Sequence, residues 1–324
     1  MMKIDVVLLD AASGAEPKPV VRETTRMAIL GECLSRIGHN VRLCHPNRHL
    51  MASGRWRHFK HLEGRLRAGA DARIVASECS QKWTRGFNGL TVRYKTRVNN
   101  RQDTFAVQHS DIFMTHEMLA AFRKRKDVLP IPFIVGDTVV EHMMKYCNRR
   151  GEQFEYAWNA YLSNDLHTVR RSYLSDVTVS DCVGFFGFGG YGRSETCAAV
   201  SGSLQSDVVL YETKPMGPVE YMQRVGSWGA GLCLEGVTPK CNRFSELALM
   251  GVPIVITNRE SQPLRPMLSD DNCVTLSQID DVTPIRDAIE NRASYVARQD
   301  EAYRQGWSPL GQANQLTHML ESKL

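Results

Sequence analysis

Two stretches in the second half of the sequence combine the residue types that bind phosphate. The first is Gly187-Phe188-Gly189-Gly190-Tyr191-Gly192-Arg193, set between an apolar run and a helical pattern. Glycines let a backbone approach a diphosphate, a helix start offers unpaired N–H groups, and Arg193 adds a fixed positive fork. Within it, Gly187-x-Gly189-x-x-Gly192 has the spacing of a dinucleotide fingerprint, and Glu212 ends the next expected strand. An NAD-dependent enzyme is therefore one reading, and an ordinary tight turn is another. Gly190 and Arg193 crowd the turn and the motif opens the second half of the chain, which favours a general phosphate role over nicotinamide chemistry.

The second stretch runs from Gly236 to Ile256 and delivers Lys240 and Arg243 to the start of a helix. Glu246 follows one helical turn after Arg243, on the same face. An arginine there can grip a diphosphate bidentately, while the carboxylate accepts both hydroxyls of a ribose. The plain alternative is a surface ion pair worth about 0.3–0.5 kcal/mol. Gly251-Val252-Pro253 and an apolar strand come immediately after, which makes the pattern more specific.

These residues need a scaffold, and the apolar periodicity supplies one. Strand Ile4–Leu9, a polar loop over Asp10–Pro19, helix Arg22–Ile37 and strand Val41–Cys44 form a β-loop-α-β unit. Further strands are expected at Arg73–Ala76, Ile112–Met114 and Pro132–Val135, whereas Met51–Asp103 reads as basic loops. The second half repeats the grammar. Strands are expected at Asp176–Val179, Val183–Phe186, Asp207–Tyr211, Gly231–Leu234 and Val252–Ile256, with helices at Ser194–Ser203, Pro218–Trp228 and Arg243–Met250. Residues Thr283–Leu324 read as mostly helical. Alternation of this kind implies α/β architecture with parallel sheets. We expect two doubly wound, Rossmann-like domains facing across a cleft, residues 1–168 and 169–324, with the last helix able to pack back on the first.

Charge divides along the same line. Residues 1–150 hold 26 Lys+Arg against 14 Asp+Glu, a net +12, while residues 151–324 carry −7 of the overall +5. The excess gathers in Arg55–Arg73 (Arg55, Arg57, Lys60, Arg65, Arg67, Arg73) and Lys82–Arg101 (Lys82, Arg85, Arg93, Lys95, Arg97, Arg101), interleaved with Trp56, Phe59, Trp83, Phe87 and Tyr94. Such runs are either a solvated face or a surface that tracks phosphates. No apolar run approaches the roughly 20 residues of a membrane helix, and the opening hydrophobic stretch is short and contains an acid. Nine cysteines without a C-x-x-C pair read as reduced thiols, with no structural zinc. A cytoplasmic protein without a membrane partner is expected.

In Arg243-x-x-Glu246, then Ala248 and Gly251-x-Pro253 before a strand, the chain resembles the donor-nucleotide segment of GT-B glycosyltransferases. More narrowly it resembles the bacteriophage DNA β-glucosyltransferases, which glycosylate hydroxymethylcytosine in duplex DNA. The strand running into the glycine- and arginine-bearing loop Phe185–Arg193, Glu23 after the opening loop, and Ile134-Val135-Gly136-Asp137 carry that likeness. It spans most of the chain in order and spacing, apart from Met51–Asp103, and this chain has one arginine in the glycine loop where the family has more.

The resemblance implies a roughly defined set of roles. Asp137 would deprotonate an acceptor hydroxyl for inverting attack on the anomeric carbon, although Asp137 before Thr138-Val139-Val140-Glu141 could equally cap a helix. Glu23 would contact the donor sugar, or serve only as a first-turn acid complementing the helix dipole; Asp10 is a spare candidate base. Gly187, Gly189, Gly190, Arg193, Lys240, Arg243 and Glu246 would hold a UDP-sugar and its leaving diphosphate. No tightly bound cofactor or metal is required, and a divalent Mg or Mn ion could assist. Arg55, Arg57, Lys60, Arg65, Lys82, Arg85, Arg93, Lys95 and Arg97 would face duplex DNA, with the target base flipped out of the stack. A monomer is expected. The rivals are the same enzyme class acting on an anionic glycan or lipid-linked saccharide, a non-catalytic nucleic-acid-binding protein, and the NAD-dependent enzyme.

Overall fold

The computed structural model describes residues 1–8, 18–44, 62–63, 65–76, 83–95, 110–115, 125–130, 151–186, 193–204, 208–211, 218–233, 243–257, 271–276, 278 and 281–324. These fall into two units, Met1–Pro132 with Pro309–Leu324, and Phe133–Ser308. The division comes earlier than the expected boundary at 168/169. Helices α2 (Gly151–Leu162) and α3 (Leu166–Leu174) belong with the second unit, where α3 packs against α5 (Pro218–Gly226) and α6 (Arg243–Met250).

In the first unit seven parallel strands lie in the order β3-β2-β1-β4-β5-β6-β7: β1 Lys3–Val7, β2 Asn40–Cys44, β3 Leu62–Glu63, β4 Ala72–Ala76, β5 Leu90–Lys95, β6 Ile112–Thr115 and β7 Val128–Pro130. Helix α1 (Lys18–Arg36) links β1 to β2 and lies close against the sheet at Gly31, where a Cβ would come 2.5 Å from Leu43 and 3.2 Å from Val6. The last helix, α9 (Pro309–Glu321), packs along α1. His39, just past α1, ties this layer together by accepting a hydrogen bond from the Met2 amide (3.3 Å) and bonding Thr317 of α9 (2.9 Å).

The other face of this sheet is polar at its heart. Asp5 of β1 is fully buried; its carboxylate accepts from the Arg67 amide and Nε (both 2.8 Å), and Arg73 lies 3.9 Å away. Arg67 also donates to the carbonyls of Ile4 and Asn40. The Arg73 guanidinium donates to the Trp83 carbonyl and stacks over the Phe87 ring, 4.0 Å from its centroid. Burial pushes the pKa of Arg73 down, opposed by Asp5.

Five parallel strands make the second sheet, in the order β12-β11-β10-β8-β9: β8 Val183–Phe186, β9 Val208–Tyr211, β10 Ala230–Cys233, β11 Ile254–Thr257 and β12 Val274–Leu276. On one face Val183, Phe185, Ala230, Leu232 and Val255 join Val200 and Leu204 of α4 (Arg193–Leu204) and Ile285 of α7 (Thr283–Glu290) in an apolar core. On the other, register-paired Gly184 and Gly231 leave room for Trp228 and for Leu247 of α6. The expected strand Asp176–Val179 is absent: α3 ends in a turn and residues 177–180 follow without strand pairing. Pro132–Val135 lies outside the described residues.

Candidate functional site

The order of the second sheet creates a topological switch point between β8 and β10. These strands are neighbours, yet the chain leaving β8 returns at β9 on one side, and the chain leaving β10 returns at β11 on the other. Helices α4 and α6 consequently cover opposite faces. In open parallel sheets the crevice outside the carboxyl ends of two such strands is where ligands bind. Here those ends are Phe186 and Cys233, and the segments that leave them are the two that the sequence marks for phosphate. Segment 187–192 leads into α4 at Arg193, and segment 234–242 leads into α6 at Arg243.

Each helix start exposes amide groups that no intrahelical carbonyl can satisfy, with the positive end of the helix dipole behind them. The side chains of Arg193 and Arg243 are outside the described atoms, as are Gly187, Gly189, Gly190 and Lys240 altogether. What the backbone fixes is that the two strands these helices follow are neighbours in the sheet.

Helix α6 is held from below as well. Its C-terminus is a Schellman stop: Gly251 adopts φ +67°, its amide donates to the Ala248 carbonyl (3.1 Å), and the Val252 amide donates to the Leu247 carbonyl (2.9 Å). Only a residue without Cβ takes that conformation easily, and Pro253 then blocks further helix. Arg170 of α3 adds a second cap. Its Nε and Nη2 donate to the carbonyls of Leu249 (2.9 Å) and Ala248 (2.7 Å), and Asp300 of α8 (Arg292–Ala302) holds the same guanidinium at 2.8 and 2.5 Å. A Cβ on Gly251 would press on Arg170 at 2.9 Å. The Gly251-x-Pro253 signature thus has a mechanical role, clamping the C-terminal end of the helix that follows β10.

Glu246 sits in the first turn of α6 and is buried. Its carboxylate receives a hydrogen bond from the hydroxyl of Tyr221, a buried residue of α5. Nothing in the local sequence signalled this partner, because Tyr221 comes from a separate helix before the intervening strand. Its only trace is the apolar spacing of Tyr221, Met222 and Val225, all buried.

The first unit contributes fewer described candidates. Helix α1 begins at Lys18 rather than Arg22, so Glu23 lies beyond the first turn, which carries no acid; the reading of Glu23 as a first-turn dipole partner therefore loses its ground. Asp137 and Asp10 lie outside the described residues.

Among the basic candidates, Arg65 and Arg85 are exposed. Arg93 is corrected: it belongs to β5, an interior strand of the sheet, only 2% exposed, with burial lowering its pKa, and it faces the interior rather than a polyanion. Arg67 and Arg73 are likewise engaged with Asp5, and Tyr94 is a core residue. Lys95 ends β5 with its side chain undescribed, and Arg55, Arg57, Lys60, Lys82 and Arg97 lie outside the described residues. Among the described residues no group of three His, Cys, Asp or Glu comes together, and no helix is long and apolar enough to cross a membrane.

No protein-family model matches the sequence, and no curated protein matches it. Solved structures do match along its length. HepE from Anabaena in complex with UDP shares 10% identity over 99% of this chain and 100% of its own, with a TM-score of 0.55. Sucrose-phosphate synthase from Thermosynechococcus elongatus shares 9% over 100% of both chains, at 0.54. AviGT4, a glycosyltransferase involved in avilamycin A biosynthesis, shares 15% over 100% of this chain and 98% of its own, at 0.50. The likeness is one of fold: α/β with parallel sheets, as in GT-B glycosyltransferase structures.

Proposed function

We propose that this chain is a glycosyltransferase that takes a sugar from a nucleoside diphosphate, with UDP as the carrier. One observation carries the reading: the two phosphate-type segments of the sequence leave adjacent strand ends at a switch point and each enters a helix N-terminus. The choice of UDP is supported by the fold shared with HepE, whose structures hold UDP or UDP-glucose.

In this reading the leaving diphosphate is neutralised by Arg193, Lys240, Arg243 and the amides that open α4 and α6, which place positive charge where negative charge develops. Glu246 accepts the ribose hydroxyls, and Glu23 contacts the sugar. Asp137 takes the proton of the acceptor hydroxyl as that oxygen bonds to the anomeric carbon, while the bond from that carbon to the diphosphate oxygen breaks with inversion. Mg or Mn could assist departure and is not required by this arrangement.

For the acceptor we infer a hydroxymethyl-pyrimidine in duplex phage DNA. The net charge of +12 in residues 1–150 supports a polyanionic partner. The interior placement of Arg67, Arg73 and Arg93 narrows that surface to the remaining cations, led by exposed Arg65 and Arg85. The reading is tested by incubating the protein with hydroxymethylated or unmodified duplex DNA and a panel of sugar nucleotides, followed by nucleoside mass spectrometry. A sugar adduct on the hydroxymethylated base alone is the expected result. Donor turnover with an anionic glycan but not with DNA would move the acceptor to that class.

A further inference from the structure

We infer that segments 65–69 and 83–88 form one surface for the phosphate backbone of duplex DNA, mounted on the buried Asp5–Arg67–Arg73 network; the inference rests on the DNA acceptor proposed above. Burying two guanidinium groups with a carboxylate is a poor route to stability, since well-packed apolar side chains of similar volume often serve as well or better. The network does something that apolar side chains could not. Arg73 of β4 donates from Nη1 to the Trp83 carbonyl (2.6 Å) and from Nη2 to the Arg67 carbonyl (3.3 Å), so one planar guanidinium joins the two segments. Arg67 is itself fastened to β1 and β2, through Asp5 and the carbonyls of Ile4 and Asn40. In the second segment the Phe87 ring stacks on the Arg73 guanidinium, and the Phe87 amide closes a turn by donating to the Thr84 carbonyl (3.1 Å).

Each segment presents an arginine two residues from its anchored carbonyl, Arg65 before Arg67 and Arg85 after Trp83. Both of these side chains are exposed, whereas Arg67 and Arg73 are turned to Asp5. Ala68, Gly69, Gly86 and Asn88 beside them are exposed as well, so small residues and a side-chain amide surround the two cations. Asp71 is the one acid in residues 65–71 and 83–90, and its carboxylate accepts from the Lys3 amide (2.6 Å). Fixed positive charge, room for a close approach and no opposing carboxylate are what contacts to a nucleic-acid backbone require, and such contacts position a duplex without reading its sequence. Held through one guanidinium, Arg65 and Arg85 keep a set spacing and meet the same duplex together, with Arg73 as the residue that positions them.

The test is binding of the full chain to unmodified duplex DNA, read by fluorescence anisotropy over a salt series, for wild type, Arg65→Ala, Arg85→Ala and Arg73→Lys. The slope of log affinity against log salt counts the phosphates neutralised, at about 0.9 for each contact on a duplex. Arg65→Ala and Arg85→Ala should each lower its magnitude by about 0.9, with Tm unchanged because both side chains are exposed. Arg73→Lys keeps the charge but can hold only one of the two carbonyls. It should lower the slope of the folded protein too, whereas a merely structural role would lower Tm and leave the slope alone. If wild type binds DNA and neither alanine variant moves the slope, the surface is overturned and the acceptor reading stands. A change in only one of them shows that the segments do not act as one surface, and also overturns the inference. If both alanine variants lower the slope and Arg73→Lys keeps that of wild type, the positioning role of Arg73 is overturned. Failure of wild type to bind duplex DNA removes the acceptor reading, and this inference with it.

Discussion

Leu247 of α6 lies over Gly231 of β10, in the space that a Cβ on that glycine would occupy. The neighbouring strand repeats the device, with Trp228 over Gly184. These are the two strands of the switch point, so the helix bearing Arg243 and Glu246 sits as near to the sheet as a backbone allows. Gly231→Ala is therefore expected to force Leu247 and α6 outward, costing about 1–3 kcal/mol by overpacking. Urea denaturation should show the loss. Gly202, where a Cβ meets open space, is the control: Gly202→Ala in α4 should leave stability unchanged or raise it, as helix propensity dictates.

Asp5 faces two guanidinium groups, those of Arg67 and Arg73, with no exposed surface of its own. Removing its charge leaves cations in the interior without their counter-ion. Asp5→Asn should therefore destabilise the chain by about 3–5 kcal/mol, as breaking one side of a buried pair does. The same variant should not alter nucleotide affinity once folded, because Asp5 belongs to the first unit.

Arg170 joins the carbonyls at the end of α6 to Asp300 of α8. Its side chain keeps 18% exposure, so solvent screens part of the attraction. Arg170→Ala is expected to cost about 2 kcal/mol, through the lost charge-assisted bonds to helix carbonyls more than through the ion pair. A double-mutant cycle with Asp300→Ala, read by thermal denaturation, separates the two contributions. Nearby Arg292, whose pKa is lowered to about 10 by burial and by the like charge of Arg170, donates to the carbonyls of Trp228 and Gly229.

His39 must be neutral to accept from the Met2 amide, since a protonated ring has two donors and no acceptor. Burial lowers its pKa below the ordinary 6.5. A depressed histidine pKa means that the unfolded chain takes up the proton first, so the stabilising contribution is complete above 6.5 and is lost as pH falls. The difference in Tm between wild type and His39→Gln should therefore be largest at pH 7.5 and shrink towards pH 5.5. A constant difference would show that the ring does not titrate in this way.

Much of this architecture was legible from residue pattern. The β-branched runs of β1 and β11 and the helix Arg243–Met250, ended by Gly251 and Pro253, follow from local chemistry alone. β5 did not, because Arg93 and Lys95 alternate with Val92 and Tyr94 and look like a solvated basic segment; the burial of Arg93 is a property of the tertiary structure. Asp176–Val179 misled in the opposite sense, being apolar enough for a strand but left unpaired after α3. Of the site, the phosphate-type residues were visible as motifs. The adjacency of β8 and β10, the strands that precede them, was not, because strand order is set by crossovers between distant segments, and neither was Tyr221, whose partner lies 25 residues away.

The central claim is that a nucleoside diphosphate occupies the crevice between the ends of β8 and β10. Hydrogen–deuterium exchange of the full chain with and without UDP tests it where it matters, at the backbone amides. Slowed exchange in segments 187–195 and 234–246, abolished by Arg243→Ala, is the expected result. Binding of UDP with protection confined to other segments, or no binding at all, would contradict it.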